Sequence, residues 1–251
     1  MTALGRQKTT TPWTIGWEAV RANLAPALVI QLLMLAILAA YYFSPQFAQA
    51  LQMVAAYKQA HGLLFVVIAT ILAASILPEI FLVLFFQRGR VRPENFRNVL
   101  FTAPIWAFDG ILVDLMYRGL AALLGDTASW SVVLAKICID QFGYNVFFAA
   151  PYGVLAYHWK NSGFDFAVLR RSLTLDYYLR KIVPTLLTTW VVWIPLMAMI
   201  YSLPLALQFP LFSLALTFWV LLLTYMTNRF AGKSGRPAAI VTTQLAPRPI
   251  R

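Results

Sequence analysis

The sequence predicts an all-α fold, a polytopic bundle of about six transmembrane helices with both termini on the cytoplasmic side. The first observation is composition: 61% of the 251 residues are hydrophobic, 12% are charged, and the mean hydropathy is +0.71. These values are far from those of a soluble domain. The second observation is that long apolar runs alternate with short basic segments. Together they favour membrane helices over a water-soluble core.

The first apolar run covers residues 23–43 and ends at a Ser-Pro pair. Residues 1–22, ahead of it, carry apolar side chains at helical spacing. We expect this segment to lie at the membrane interface, with Trp13 and Trp17 as anchors. The run is not followed by a small-residue cleavage pattern, and further spans come after it, so we expect a mature helix rather than a signal peptide.

Five further runs are long enough to cross a bilayer, namely 62–86, 98–123, 130–157, 182–203 and 205–227. A short Gly-Asp-Thr turn predicts that the runs 98–123 and 130–157 form an antiparallel hairpin. The segment 158–181 is basic, with apolar residues at three- and four-residue steps, which predicts an amphipathic helix on the cytoplasmic surface. We expect residues 23–228 to form the transmembrane domain and residues 229–251 a disordered basic tail.

The basic residues predict the orientation. Seventeen of the 20 Lys and Arg residues fall in the segments 1–22, 87–97, 158–181 and 228–251. The positive-inside rule therefore places these segments, and both termini, in the cytoplasm. The formal net charge of +11 is then a topology signal, so the expected partners are the lipid bilayer and small hydrophilic solutes, with no nucleic acid.

Ionisable residues inside the apolar runs mark the candidate site. Asp114 and Arg118 form one i, i+4 pair, and Lys136 and Asp140 form another in the next run. A charged side chain near the bilayer centre costs about 2.5 to 3.5 kcal/mol, so it usually has a partner or faces an aqueous path. Counted from the hairpin turn, Arg118 and Lys136 lie at similar depth, and if both pairs face each other the hairpin carries a neutralised cluster of two acids and two bases. Other polar residues at different depths are Glu79, Asp109, Gln141 and Asn145.

Two interpretations of these residues stay open. The pairs can hold helices together, since polar contacts between membrane helices are worth under about 1 kcal/mol each yet fix the register. The additional polar residues, which lie on other faces and depths, favour a water-containing cavity.

Several segments fall in a distinctive order. Lys136-Ile-Cys-Ile-Asp140-Gln141 is preceded by Tyr117-Arg118, and the remaining elements are Glu79-Ile80, Arg97, Trp193-Ile-Pro195, Leu203-Pro204 and Trp219. In type and spacing they resemble the Mpv-seventeen and peroxisomal membrane protein two family, over residues 51–228. The departures from that family's pattern are Asp109-Gly110, Met116, Val146 and Val220.

The resemblance implies a small integral membrane protein that acts as a weakly selective channel for small solutes, with no cofactor and no catalytic activity. The run 23–43 has no counterpart in the family's core, and no Arg- and Ser-rich transit peptide is visible. We therefore expect a bacterial inner membrane; in a eukaryote the family's mitochondrial or peroxisomal membrane would apply.

Three functions are hypotheses at this point. The leading one is a channel or pore for small hydrophilic solutes, in which Arg118 and Lys136 attract anions at the outer mouth. The second is a proton-coupled carrier with Asp109 or Glu79 as the protonation site, although no internal repeat is visible. The third is an assembly subunit whose charges only hold helices together. A homo-oligomer is compatible with all three.

An enzyme is not expected. The sequence contains no His-Glu-x-x-His and no Gly-x-Ser-x-Gly motif. Its only histidines are His61 and His158, and its single cysteine, Cys138, excludes an internal disulfide. We expect no metal site, no cofactor and no catalytic residue.

Overall fold

The computed structural model describes residues 12–233, and this part of the chain is all-helical, as the sequence predicts. The helices are α1 (Pro12–Phe43), α2 (Pro45–His61), α3 (Leu63–Phe86), α4 (Pro93–Leu124), α5 (Trp130–Asn161), α6 (Phe166–Arg171), α7 (Leu175–Tyr201) and α8 (Leu205–Lys233). Residues 1–11 and 234–251 lie outside the described part, and with them most of the predicted tail. The tail's first residues, 229–233, belong to α8.

Four helices, α3, α4, α5 and α7, are long and apolar enough to cross a membrane. The bent pair α1–α2 makes a fifth if its two arms are counted as one span. In α8 the apolar part among the described residues, Leu205–Leu221, is shorter. The structure therefore shows four to five apolar helices of membrane-spanning length.

The N-terminal region differs from the expected division into an interfacial segment and a separate first span. Helix α1 runs without a break from Pro12 to Phe43. The chain then bends by 105° into α2, at the Ser-Pro pair that the sequence marks as the end of the first run. The Ser44 hydroxyl accepts a hydrogen bond from the Phe47 N–H at 3.3 Å and so caps α2.

The segment 158–181 is not the single amphipathic helix that its periodicity predicts. Instead, α5 continues to Asn161, and α6 and the first turns of α7 follow as separate helices. Two consecutive residues, Gly163 and Phe164, have φ values of 74° and 65°, which end α5 because a helix cannot continue through the left-handed region. Asp165 then caps α6 by accepting from the Ala167 N–H at 2.7 Å.

Three helices contain a widened π-helical segment that ends two residues before a proline. The segments are Leu72–Ile76 in α3, Ile139–Ala149 in α5 and Tyr178–Ile182 in α7, and the prolines are Pro78, Pro151 and Pro184. The N–H of the residue that follows each segment donates to the carbonyl five residues earlier, for example from Ala150 to Asn145. Proline clashes with the carbonyl four residues earlier in an α-helix, and a wider turn moves that carbonyl away.

Helix α8 lies at the centre of the bundle, and Phe209 and Ala215 on it are fully buried. Helix α1 packs along α7, where Gln31 Nε2 donates to the Val191 carbonyl at 3.0 Å. Helices α3 and α4 approach closely at Gly110. This packing leaves α4, α5, α7 and α8 around one interior space.

Candidate functional site

A cavity of about 160 Å³ lies between α4, α5, α7 and α8. Its lining is mostly apolar and aromatic, with a small number of polar side chains. The polar lining residues are Asp109, Tyr117, Asp140, Gln141, Tyr144, Asn145, Tyr152, Tyr157, Thr185 and Thr189. An apolar cavity with a few convergent polar groups is the usual form of a small-molecule site.

The π-helical segment of α5 supplies four of these polar residues. Asp140, Gln141 and Asn145 are all buried, and Asn145 Nδ2 donates to Gln141 Oε1 at 3.3 Å. Tyr144 lies between them on the same segment and also lines the cavity. Wide helical turns of this kind often occur at functional sites, because they change which side chains share a face.

Helix α7 stabilises the widened segment from the side. The Tyr178 hydroxyl donates to the Val146 carbonyl, and the Trp190 indole N–H donates to the Gln141 carbonyl, both at 2.9 Å. Val146 lies five residues before Pro151, which has no N–H to offer in the i to i−5 pattern. These two hydrogen bonds hold the lining face of α5 in position.

Both carboxyl groups of the cavity accept hydrogen bonds from tyrosines. The Tyr144 hydroxyl donates to Asp109 Oδ1 at a long 3.4 Å, and the Tyr201 hydroxyl donates to Asp140 Oδ2 at 2.8 Å. The two carboxyl groups are close enough to interact electrostatically. They are therefore two acidic groups on the wall of one cavity.

Aromatic rings close the cavity toward the α4–α5 turn. The ring of Tyr117 meets Tyr201 edge to face, with centroids 5.4 Å apart, and meets Phe212 at 6.0 Å. The Tyr117 hydroxyl also lies 3.5 Å from the sulfur of Met197. Tyr117 and Tyr201 are 2% and 1% exposed, so both rings are packed tightly against their neighbours.

Beyond this closure lies an ionic cluster that does not line the cavity. The predicted Asp114–Arg118 pair is present at 2.6 Å, between Asp114 Oδ2 and Arg118 Nη2. The other carboxylate oxygen of Asp114 pairs with Lys58 Nζ at 2.5 Å. Asp114 thus joins α4 to α2, and Lys58 is a partner that sequence spacing did not indicate.

The Lys136–Asp140 pair that the i, i+4 spacing indicates is absent from the described ion pairs, so the described residues do not form a cluster of two facing pairs. Lys136 is 1% exposed, and its Nζ lies 3.7 Å from Asp126 Oδ1 in the α4–α5 turn. Asp140 bonds to Tyr201 instead. The π-helical segment of α5 begins at Ile139, between the two residues, and each side chain meets a partner from another part of the chain.

Glu79 forms a separate polar cluster near the opposite end of α4. Its Oε2 accepts from Asn95 Nδ2 at 2.6 Å, and nearby Lys160 Nζ donates to Asn98 Oδ1 at 2.7 Å. Glu79 does not line the cavity. The cluster ties together α3, the start of α4 and the end of α5.

Of the eight candidate residues, four line the cavity and four do not. The lining residues are Asp109, Asp140, Gln141 and Asn145, and the others are Glu79, Asp114, Arg118 and Lys136. Sequence analysis missed the aromatic lining, which includes Trp106, Trp193, Trp219 and Tyr144. The sequence did indicate one of these residues, because Tyr144 follows Asp140 by four residues inside an apolar run.

The two expected interfacial anchors are described to different extents. Trp17 is 56% exposed, and the guanidinium of Arg21 lies 5.7 Å from the centre of its ring. The side chain of Trp13 lies outside the described part of the structure. Anchoring by both residues stays a prediction.

A scan against protein-family models finds no family that matches this chain. Comparisons with curated proteins and with solved structures find no match either.

Proposed function

We propose that the chain is an integral membrane protein that passes small hydrophilic solutes across the bilayer by way of the cavity between α4, α5, α7 and α8. The observation that carries the proposal is the cavity itself, about 160 Å³ in volume with buried carboxyl and amide groups on its wall. Polar groups at membrane depth are stable where they line a water-filled space. The family resemblance over residues 51–228 is part of the same proposal.

The surface of the bundle supports a membrane location. Large apolar side chains are exposed along the long helices, for example Leu64 at 59%, Leu100 at 65% and Phe147 at 82%. In water such continuous apolar surface would drive aggregation, whereas lipid tails solvate it. We propose six spans, with α1 and α8 as the first and the last. The positive-inside rule places both termini in the cytoplasm. The proposed location is the bacterial inner membrane.

In this orientation the aromatic closure at Tyr117 and Tyr201 faces the outer side. Solute passage then requires the closure to open, so the described conformation is a closed one. A proton-coupled carrier is the second candidate, because two carboxyl groups line the cavity. An assembly subunit is the third candidate, and the cavity argues against the dry interior that it would have.

The test is solute flux into liposomes that contain the purified protein, with a graded set of neutral polyols. Gly153→Phe is the informative variant, because Gly153 lines the cavity and a Cβ there has no atom within 4 Å. The matched control is Gly119→Phe, at an equally open position outside the cavity. We expect size-limited flux that Gly153→Phe blocks and Gly119→Phe leaves intact.

Flux that is equal in both variants would reject the cavity as the route. No flux above empty liposomes, with the protein inserted and folded, would favour the assembly subunit. Flux that depends on a pH gradient would favour the carrier.

A further inference from the structure

The charged residues of the cavity wall are of one sign. Asp109 and Asp140 line it, and no Lys, Arg or His is among the described lining residues. The chain as a whole has a formal net charge of +11, so the cavity wall differs in sign of charge from the chain as a whole. Arg118 and Lys136 are held by Asp114 and Asp126 outside the cavity. The electrostatic environment of the cavity therefore favours a cation.

The rest of the wall is rich in aromatic rings. Three indoles line it, those of Trp106, Trp193 and Trp219, together with the phenols of Tyr144 and Tyr152. The face of an aromatic ring attracts a cation, and indole does so most strongly. Such a wall suits an organic cation, whose alkyl groups are apolar and whose charge is diffuse.

The carboxyl groups of Asp109 and Asp140 can accept further hydrogen bonds from a ligand. Asp140 bonds to the side chains of Tyr201 and Gln141, whereas the only hydrogen bond described for Asp109 is the long one from Tyr144, so Asp109 has the greater capacity for a ligand. A metal ion fits less well, since no group of three His, Cys, Asp or Glu side chains that could hold one occurs in the described residues. An ammonium group needs only one carboxylate together with aromatic faces.

The volume limits the size of the ligand. A cavity of about 150 Å³ accommodates benzene, so about 160 Å³ suits a ligand of roughly six to eight non-hydrogen atoms. A small alkylammonium ion falls in this range.

We propose that the cavity selects small organic cations, with the ammonium group at Asp109 and Asp140 and the alkyl groups against Trp106, Trp193 and Trp219. The proposal rests on the proposed function, since it names the solute class that the same cavity takes. It replaces the expectation that Arg118 and Lys136 give the site a preference for anions.

The test is binding to the purified protein in nanodiscs, followed by calorimetry and by indole fluorescence. The probes are choline and 3,3-dimethyl-1-butanol, its uncharged isostere. We expect choline to bind at least about tenfold more tightly than the isostere, with a change in fluorescence from the lining indoles. This comparison uses only the unaltered protein and so does not depend on a variant that folds.

Asp109→Asn is the variant, and Asp176→Asn is the control, because Asp176 is a surface carboxylate paired with Arg180. We expect Asp109→Asn to weaken choline binding about tenfold or more and Asp176→Asn to leave it unchanged. Equal binding of choline and the isostere, no binding of choline, or unchanged affinity in Asp109→Asn would each overturn the proposal.

Flux separates this proposal from the proposed function. Passage of polyols without choline binding would leave solute passage standing and reject cation selection. Choline binding without flux of any solute would reject passage and leave the cation site standing.

Discussion

The hydroxyl of Tyr201 donates a 2.8 Å hydrogen bond to Oδ2 of Asp140, although the two residues are 61 positions apart in the chain. Tyr201 ends α7 and belongs to the aromatic closure, whereas Asp140 lies in the widened segment of α5 and lines the cavity. One hydrogen bond therefore joins the closure to the acidic wall.

Tyr201→Phe keeps the ring and removes this hydrogen bond. We expect the free energy of unfolding to fall by about 1 to 3 kcal/mol, because the buried Asp140 oxygen loses its donor. We also expect faster polyol flux, because the closure is less firmly held. The measurements are unfolding in mixed micelles and liposome flux.

Tyr42→Phe serves as the control, since Tyr42 is 61% exposed. Equal stability and equal flux in the two variants would contradict a role for the hydrogen bond in the closure.

Asp114→Asn tests the ionic junction between α2 and α4. Asp114 is 3% exposed and contacts both Lys58 and Arg118, so its loss leaves Lys58 without its anion. Removing one partner of a buried ion pair destabilises by about 3 to 5 kcal/mol. Asp176→Asn breaks an exposed pair with Arg180 and should lower stability by under about 1 kcal/mol. Comparable losses in unfolding free energy for the two variants would disprove the junction.

Lys136→Met tests a buried ammonium that makes no hydrogen bond within the described structure and has its nearest anion at 3.7 Å. Removing an unsatisfied buried charge should leave stability equal or raise it by about 1 to 3 kcal/mol. Lys160→Met is the contrast, because it removes a 2.7 Å hydrogen bond to Asn98 and should lower stability.

Lys136→Met also tests whether Lys136 contributes to the selection between anions and cations. Because Lys136 does not line the cavity, we expect the ratio of cation to anion flux in Lys136→Met to match that of the unaltered protein. A loss of anion flux would instead support the expectation, based on the sequence, that Lys136 attracts anions at the outer mouth.

Gly110→Ala tests the contact between α3 and α4. A Cβ at Gly110 would overlap Cγ2 of Thr70 and lie 2.7 Å from its Oγ1, so the Thr70 side chain or one of the two helices must shift. Overpacking of this kind costs about 1 to 3 kcal/mol in unfolding free energy. Thr70→Ala removes both atoms, and in the double variant it should restore part of the loss.

Gly119→Ala is the matched control on the same helix, because a Cβ there meets no atom within 4 Å. It should be neutral or stabilising, by up to about 1 kcal/mol, since Ala favours helix more than Gly. A loss as large as that of Gly110→Ala would show that helix propensity, and not the Thr70 contact, governs both positions.

The sequence-based prediction is accurate where it depends on local patterns, namely the positions of apolar helices and one i, i+4 ion pair. The apolar runs at 62–86, 98–123 and 130–157 agree with α3, α4 and α5 to within a few residues, because length and hydropathy are properties of a continuous segment. The Asp114–Arg118 pair is confirmed for the same reason, since both residues lie one turn apart on a regular α-helix.

Proline placement shows where local reasoning fails. The sequence analysis expected Lys136 and Asp140 to pair at i, i+4. The widened segment of α5 ahead of Pro151 begins at Ile139, between these two residues, and Asp140 bonds instead to Tyr201 from a distant helix. The length of a widened segment depends on side chains of α7 that bond to its carbonyls, such as Tyr178, and these are set by packing.

By itself, the sequence determined that the chain forms apolar helices, where most of them begin and end, and which ionisable residues lie inside them. Only the tertiary structure decided which of those residues share a space. It gathered Asp109 and Asp140 with three tryptophans and placed Arg118 and Lys136 elsewhere. The physical reason is that hydropathy and turn chemistry act over a few residues, whereas the cavity is formed where α4 and α5 meet α7 and α8, which lie further along the chain.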